Sequence, residues 1–210
     1  MSGGRIIRGA ACVGEGAAWL SAHDAGMARA LDLIDEVPLR LRPDGFAPLL
    51  SAIMSQQVSV ASARAIWGRM EAAGLVTPEA VAVAGEERLR AAGLSRQKIR
   101  YAQELARAGI DYVALRDMPD EAVIARLVEV PGIGVWTAEI YAMFSLGHAD
   151  VFAPGDLALQ EAARLLYGLD ARPKPKAFRE MAERWSPWRA VAARILWAYY
   201  RVAKDREGIT

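Results

Sequence analysis

Glycine and proline divide this sequence into segments of helix length, and that spacing constrains the fold more than any other feature. Between them Ala, Leu, Arg and Glu dominate, and these residues favour helix. No segment shows a persuasive alternation of apolar and polar residues, the pattern typical of a half-buried strand. The sequence therefore predicts an all-α protein.

The positions of the helices follow from local start and stop signals. Apolar residues at helical spacing over Ala47–Ala73 predict one helix or two. Thr77 before Pro78 marks a helix start, and Asp117 is expected to cap a helix that runs to Val130. The other predicted helices span 85–92, 95–108, 135–146, 157–166 and 190–204.

Composition excludes several classes of protein. The chain has 210 residues, 53% of them apolar, and a single cysteine. One cysteine cannot form an internal disulfide or supply the thiolates of an iron–sulfur cluster or a cysteine-rich zinc site. The length suits one domain or two small lobes. Because the sequence shows neither a signal peptide nor a run of about 18 apolar residues, we expect a soluble, cytoplasmic protein.

Charge is segregated along the chain although the formal net charge is only +1. Residues 88–107 carry +5, residues 111–161 carry −7 and residues 164–206 carry +7. A net charge near zero argues against a protein that binds nucleic acid by bulk charge alone. Each basic stretch fits a solvated helix face as well as it fits a binding surface.

The most informative segment is Leu127–Ala138, which predicts a helix, a Pro-Gly-Ile-Gly turn and a second helix. Pro131 ends the first helix, and Gly132 and Gly134 allow a tight turn that approaches another surface closely. The second helix then begins with amide groups that can bind an anion such as a phosphodiester. An ordinary tight turn explains the four residues equally well. The segment resembles the helix-hairpin-helix DNA-binding motif.

Asp156 follows Pro154 and Gly155 and comes just before a predicted helix. In isolation it is typical of a helix N-cap. With a hairpin about twenty residues before it, however, the arrangement resembles the helix-hairpin-helix superfamily of base-excision DNA glycosylases, in which a catalytic Asp follows a Gly/Pro-rich loop.

Further motifs resemble the DNA-3-methyladenine glycosylase II family within that superfamily. They are the sequence Ile-Met-Ser-Gln-Gln-Val-Ser-Val at 53–60, Trp136 after the hairpin, Trp-Ser-Pro-Trp-Arg at 185–189, and Trp197. The resemblance covers roughly residues 40–200. It implies two helical lobes, 46–150 and 1–45 plus 151–210, with the hairpin, Trp136 and Asp156 at the cleft between them.

The resemblance also implies an activity. It predicts a monofunctional DNA glycosylase that hydrolyses the N-glycosidic bond of alkylated bases of the 3-methyladenine type in double-stranded DNA. Asp156 would stabilise the developing positive charge of the sugar and orient or deprotonate the attacking water. Since a cationic alkylated base already leaves readily, no strong general acid is required. A nucleoid-associated monomer without a catalytic cofactor is expected.

Base excision requires an extruded nucleotide, and therefore an aromatic slot and a residue that fills the gap. The first candidates for the slot are Trp136 and Trp197, and the others are Phe46, Tyr101 and Tyr141. Trp185 and Trp188 are assigned to the core. The family's second pocket tyrosine corresponds to Ile140, a departure that leaves the preferred base open.

The resemblance assigns further contacts to DNA. Gln57, in the Gln56-Gln57 loop, matches the residue that the family inserts into DNA, although family members often have an apolar side chain there; a polar helix end is the alternative. The other expected DNA contacts are Gly132, Gly134, Thr137 and Arg189. A structural Na⁺ or K⁺ is expected at the backbone carbonyls of Val128, Val130 and Ile133.

Three other functions remain open from the sequence. A non-catalytic hairpin module would bind DNA without needing Asp156 or an aromatic pocket, and a helical bundle could serve protein–protein contacts. The lyase branch of the superfamily acts on other damaged bases through a lysine nucleophile, but here Trp136 occupies that position, and it cannot form a Schiff base.

Overall fold

The computed structural model describes residues 4–207, and its regular structure is helical, which confirms the predicted all-α class. Over these residues strand-like pairing is limited to one isolated bridge between Ile6 and His148. The α-helices are α1 Ala10–His23, α2 Ala25–Leu33, α3 Phe46–Ser55, α4 Val60–Ala72, α5 Pro78–Val83, α6 Glu86–Ala91, α7 Arg96–Arg107, α8 Asp120–Val128, α9 Val135–Tyr141, α10 Leu157–Tyr167, α11 Pro175–Ala182 and α12 Arg189–Glu207. Among the described helices, none has both the length and the apolar composition needed to cross a membrane.

Local capping signals placed most helix ends correctly. The segment Ala47–Ala73 forms two helices, α3 and α4. Thr77 caps α5 as predicted, with its hydroxyl oxygen accepting from the Ala80 amide at 3.3 Å. Helix α10 ends at Gly168, whose φ of +62° is the left-handed conformation that favours glycine.

The prediction for Asp117 was wrong. Asp117 lies in a short 3₁₀ turn, Ala114–Asp117, and α8 begins at Asp120 with Pro119 at the N-cap position. The predicted helix over 135–146 is present with those bounds, but its last five residues, Ala142–Leu146, form a π-helical turn after α9.

Helices α1, α2 and α11 were not predicted. Helix α1 contains Gly16, which weakens its local signal, but an added Cβ there would come within 2.7 Å of the Trp188 ring. Its glycine is therefore required by tertiary packing, which the local pattern could not show.

The described residues divide into two units, 4–41 with 142–207, and 42–141. The predicted boundaries at 46 and 150 differ from these for physical reasons. The Gly45 amide donates to the Tyr141 hydroxyl at 2.8 Å, which places residues 42–45 in the second unit. The Ala149 amide donates to the Arg5 carbonyl at 2.9 Å, which places residues 142–150 in the first. Residues 1–3 and 208–210 of the predicted lobes lie outside the described residues.

In the first unit, α12 packs against α1, α2 and α10. Asp24 joins distant parts of this unit through one buried carboxylate. Its Oδ1 caps α2 by accepting from the amides of Gly26 and Met27 at 2.8 and 3.0 Å, and it also accepts from the Tyr167 hydroxyl at 2.9 Å. Its Oδ2 accepts from the Trp185 indole N–H at 3.0 Å.

Burial alone opposes ionisation of Asp24, but the hydrogen bonds, led by the one from Trp185, outweigh it and hold the pKa of this carboxyl below its usual value. A lowered pKa means that the carboxylate contributes stability above the unfolded-state pKa of about 3.9.

In the second unit, α3 packs against α4, α7 and α9. Helix α7 is strongly amphipathic, with Ile99, Ala102 and Leu105 buried and its polar face exposed. It packs against α3, α5 and α6, and its Lys98 donates to the Met54 carbonyl at the C-terminal end of α3, just before a loop. That loop carries Gln56 and Gln57.

We expect Asp24→Asn to lower the free energy of unfolding at pH 7 by about 2–4 kcal/mol, because it removes a buried carboxylate that accepts four hydrogen bonds. Since the folded-state pKa lies below the unfolded one, the difference from the wild type should shrink as the pH falls through the folded-state pKa. Urea unfolding between pH 7 and pH 2 measures both effects.

Asp32→Asn is the matched control, because Asp32 is an exposed carboxylate on the same helix. It should change stability by less than about 0.5 kcal/mol. An equal loss in the two variants, or a difference that does not shrink as the pH falls, would contradict the assignment.

Candidate active site

The predicted hairpin is present between α8 and α9. The Ile133 amide donates to the Val130 carbonyl at 3.0 Å and closes the turn, and Gly132 has a φ of +95°. The helical hydrogen bonds of α9 begin with the Ala138 amide, which donates to the Gly134 carbonyl at 3.0 Å. The exposed amides of Gly134 and Val135 thus precede the helical ladder, at the position where an anion can approach.

Two side chains from neighbouring elements support this turn. Tyr101 of α7 packs directly on Gly132, where an added Cβ would lie 2.5 Å from the ring. The Gln56 side-chain amide donates to the Gly132 carbonyl at 2.9 Å. The position therefore requires glycine twice over, for its backbone conformation and for its contact with Tyr101.

A groove of about 590 Å³ runs beside the hairpin in the second unit. The predicted residues Gln56, Gln57, Tyr101, Gly132 and Gly134 all line it. Ile133 of the turn and Val58 of the 53–60 motif also line it, and residues that sequence reasoning did not single out complete the lining: Ile66, Gly93, Ser95, Gln97 and Lys98.

The two glutamines have different environments. Gln56 is the C-cap residue of α3, and its side-chain amide donates to the Gly132 carbonyl of the hairpin. Gln57 is exposed and has a φ of +57°, a conformation that few residues other than glycine adopt. This geometry suits an inserted side chain at Gln57 better than at Gln56, and it makes Gln56 a support for the loop and the hairpin together.

Several basic side chains in the stretch 88–107 are bound within the protein. The Lys98 ammonium donates to the Met54 carbonyl at 2.6 Å, at the end of α3, and Arg88 donates to the Ala73 carbonyl at 2.6 Å. Arg90 pairs with Glu86. Arg96, Arg100 and Arg107 are exposed. Part of this positive charge therefore stabilises the helical packing.

Two predicted DNA contacts are placed unfavourably for that role. Arg189 forms a two-point ion pair with Asp150, Nε to Oδ1 and Nη2 to Oδ2, both at 2.9 Å, and it also pairs with Glu183. Thr137 is buried, with 8% of its surface exposed. The structure favours a structural role for both residues, since the guanidinium is already paired and the hydroxyl lies inside the fold.

The candidate pocket aromatics separate into exposed and buried residues. Trp136, at the start of α9, is 49% exposed, and Trp197 is part-exposed. Phe46 and Tyr141 are core residues at 5% and 4% exposure, and the Tyr141 hydroxyl is bonded to Gly45. Because both rings are buried, neither presents an accessible face to the base slot in which it was predicted to lie. Trp185 and Trp188 lie in the core, as expected.

Asp156 lies at the N-terminus of α10, a position that is compatible with both interpretations of its pattern, a helix N-cap and a catalytic carboxylate. Its Oδ1 accepts from the amides of Ala158 and Leu159, each at 3.0 Å, which is the geometry of an N-cap. The same oxygen accepts from the Trp197 indole N–H at 3.2 Å. The structure thus brings together Asp156 and Trp197, and three donors orient a part-exposed carboxylate.

Trp197 is itself held by residues that sequence reasoning missed. Its ring lies 5.6 Å from that of Phe144, centroid to centroid, and the Arg40 guanidinium carbon lies 5.8 Å from its centroid. Arg194, fully buried, donates to the carbonyls of Leu39, Ala190 and Met143 at 3.0, 2.7 and 3.1 Å. Only the charge within the apolar run Ala190–Tyr200 gave a signal for this network.

The carbonyl groups predicted to hold a cation lie at the hairpin turn. The Val130 carbonyl accepts the Ile133 amide, and its second lone pair could still bind a cation. Carbonyl oxygens are suitable ligands for Na⁺ or K⁺, so the donor set of Val128, Val130 and Ile133 fits, and the cation stays a prediction.

The two hairpin glycines offer a matched pair of variants. At Gly134 an added Cβ meets no atom within 4 Å, so Gly134→Ala should fold normally. Its methyl group would stand where a phosphate approaches, and DNA affinity should fall about tenfold or more, since a hydrogen bond to a charged group is worth about 1.5–3 kcal/mol. Fluorescence anisotropy with abasic-site DNA measures the loss.

Gly132→Ala should instead lower the free energy of unfolding by about 1–3 kcal/mol, because it combines a left-handed φ with a clash against Tyr101. Wild-type DNA affinity in a stable Gly134→Ala protein would contradict the binding role of the hairpin.

Comparison with known proteins agrees with this geometry. Residues 50–187 match the family described as HhH-GPD superfamily base excision DNA repair protein. The chain is 30% identical over 171 residues to DNA-3-methyladenine glycosylase 1 of Schizosaccharomyces pombe, covering 77% of this chain and 75% of that protein.

Two solved structures share the fold. A DNA-3-methyladenine glycosidase from Bacillus halodurans superposes with a TM-score of 0.80 at 34% identity, covering 86% of this chain and 87% of that one. The Schizosaccharomyces pombe 3-methyladenine DNA glycosylase, in complex with abasic DNA, superposes with a TM-score of 0.73 at 30% identity, covering 87% and 95%. The chain belongs to the HhH-GPD superfamily of base excision DNA repair proteins, and within it to the DNA-3-methyladenine glycosylase family.

Proposed function

We propose that this protein is a monofunctional DNA glycosylase that hydrolyses the N-glycosidic bond of alkylated bases, of the 3-methyladenine type, in double-stranded DNA. The observation that carries the proposal is the Asp156 carboxylate, which two amides of α10 and the Trp197 indole hold in one orientation. The similarity to glycosylases named for 3-methyladenine supports the choice of substrate class.

Asp156 would act on the sugar. As the bond to the base lengthens, positive charge develops on the deoxyribose, and a carboxylate already fixed in place stabilises it without reorganising. The same group can orient or deprotonate the water that attacks the sugar carbon. Because its Oδ1 is held by three donors, the carboxylate keeps its position while the charge on the sugar forms.

The base would leave without strong protonation. An alkylated purine carries positive charge, so the bond breaks with a neutral base as the leaving group. The face of the part-exposed Trp197, in the same unit as Asp156, can attract such a cation through the ring quadrupole. This requirement differs from that of a neutral base, which would call for a general acid.

The DNA backbone would bind through the hairpin. A phosphodiester fits the exposed amides of Gly134 and Val135, and it requires no basic side chain there. Gln57 would enter the space that the extruded nucleotide leaves, and a Na⁺ or K⁺ held by carbonyls of the turn would fix the shape of the hairpin. The complex of the Schizosaccharomyces pombe relative with abasic DNA supports DNA as the partner, since abasic DNA is what base removal leaves.

Asp156→Asn tests the proposal. Base release from methylated DNA should fall by about 10²- to 10⁴-fold, because the variant cannot stabilise the cationic sugar or take a proton from water. Affinity for abasic-site DNA should change little, and liquid chromatography of the released bases measures the rate. Equal release by both proteins would overturn the role of Asp156, whereas DNA binding with no release by either would favour a non-catalytic hairpin protein.

Borohydride trapping on damaged DNA tests the monofunctional assignment. The lyase branch forms a Schiff base through a lysine at the position of Trp136, and indole cannot form one. We expect no covalent adduct on a denaturing gel, with a known lyase as the positive control. A trapped adduct would overturn the assignment.

A further inference from the structure

Arg40, in the first unit, has an unusual backbone conformation. Its φ is +52°, a left-handed conformation that residues with a Cβ seldom adopt. The preceding carbonyl, that of Leu39, accepts from the buried Arg194 guanidinium at 3.0 Å. A buried guanidinium must keep its hydrogen-bond acceptors, so Arg194 fixes the chain at the point where Arg40 takes its conformation.

The side chain of Arg40 is exposed, yet its guanidinium carbon lies 5.8 Å from the centroid of the Trp197 ring. The same indole donates its N–H to Asp156 Oδ1 at 3.2 Å. A cation over an indole face is attracted to the ring and draws electron density from it. The N–H at the edge of that ring consequently becomes a better donor, and the indole plane is held.

We propose that Arg40 is a positioning residue for base release, acting through Trp197: its guanidinium holds the indole in the orientation that keeps the N–H bonded to Asp156. The proposal rests on the proposed function, because it takes Asp156 as the carboxylate that acts on the sugar. Strained backbone is commonly found where the surrounding structure needs one side chain in one place. Here the structure that maintains the strain is Arg194, and the side chain it places is Arg40.

A phosphate contact is the competing role for an exposed arginine, and it predicts different results. A residue that neutralises a phosphate changes DNA affinity and its salt dependence. A residue that acts through the indole changes the rate of base release while affinity for the abasic product stays the same. Its effect also requires the indole N–H, which phenylalanine lacks.

The experiment uses Arg40→Asn, because asparagine tolerates the left-handed conformation and removes the charge. Arg40→Lys keeps the charge, and Arg8→Asn removes one exposed positive charge elsewhere in the same unit. Each is made in the wild type and in Trp197→Phe. Single-turnover release of 7-methylguanine and affinity for abasic-site DNA are measured.

We expect Arg40→Asn to slow base release about tenfold in the wild type and less than twofold in the Trp197→Phe background, as coupled residues behave in a double-mutant cycle. Arg40→Lys should stay within about threefold of the wild type, Arg8→Asn should have no effect, and affinity should stay within about twofold throughout. An equal loss in both backgrounds, or a loss that appears in affinity, overturns the proposal.

A second readout requires no substrate. The protein has six tryptophans, and Trp197→Phe identifies the indole N–H signal of Trp197 in a ¹⁵N-correlated NMR spectrum. In Arg40→Asn this signal should shift and exchange with solvent at least about tenfold faster, since its hydrogen bond to Asp156 weakens. An unchanged signal overturns the proposal even where the wild type releases no base, an outcome that would separately overturn the proposed function.

Discussion

The first unit depends on one buried charge. The Arg194 guanidinium is fully buried, and it donates to the loop before α3, to its own helix α12 and to the π-helical turn after α9. Burial, helped by the nearby Arg40, lowers the pKa of Arg194 to about 10, so the group remains charged at neutral pH. A charge in that position is tolerable only while its acceptors stay in place. The backbone at Leu39 and Met143 is consequently fixed, and with it the surroundings of Trp197.

The parts of the molecule that the sequence predicted well are those with local causes. The Thr77 cap and the turn at Gly132 follow from residues within a few positions of one another, while the pattern over Ala47–Ala73 allowed either one helix or the two that form. Asp156 shows the limit of prediction from local sequence patterns. Its pattern fitted an N-cap or a catalytic carboxylate, and the structure has the cap, formed by two amides. The Trp197 indole is a third donor to the same oxygen, and this long-range contact has no signal in the local pattern.

Long-range polar contacts could not be predicted in this way. The bond from Trp185 to Asp24 spans 161 residues, and that from Arg194 to Leu39 spans 155. A run of basic residues also does not show which of its side chains bind within the protein. In the sequence Lys98 and Arg189 cannot be distinguished from exposed cations, but Lys98 donates to Met54 and Arg189 pairs with Asp150. Charge patterning therefore overestimates the binding surface, because the partner of a charged side chain is set by the fold.

The small net charge of the protein is compatible with phosphate binding, because the proposed contact uses backbone amides and not charged side chains. A hairpin that binds phosphate through backbone amides depends little on the sign of the charges near it in the chain, so residues 111–161 can carry −7 and still contain the hairpin that we propose to bind DNA. What the hairpin does need is shape. Shape comes from a glycine at Gly132, the ring of Tyr101 against it and the amide of Gln56 on its carbonyl, none of which adds charge.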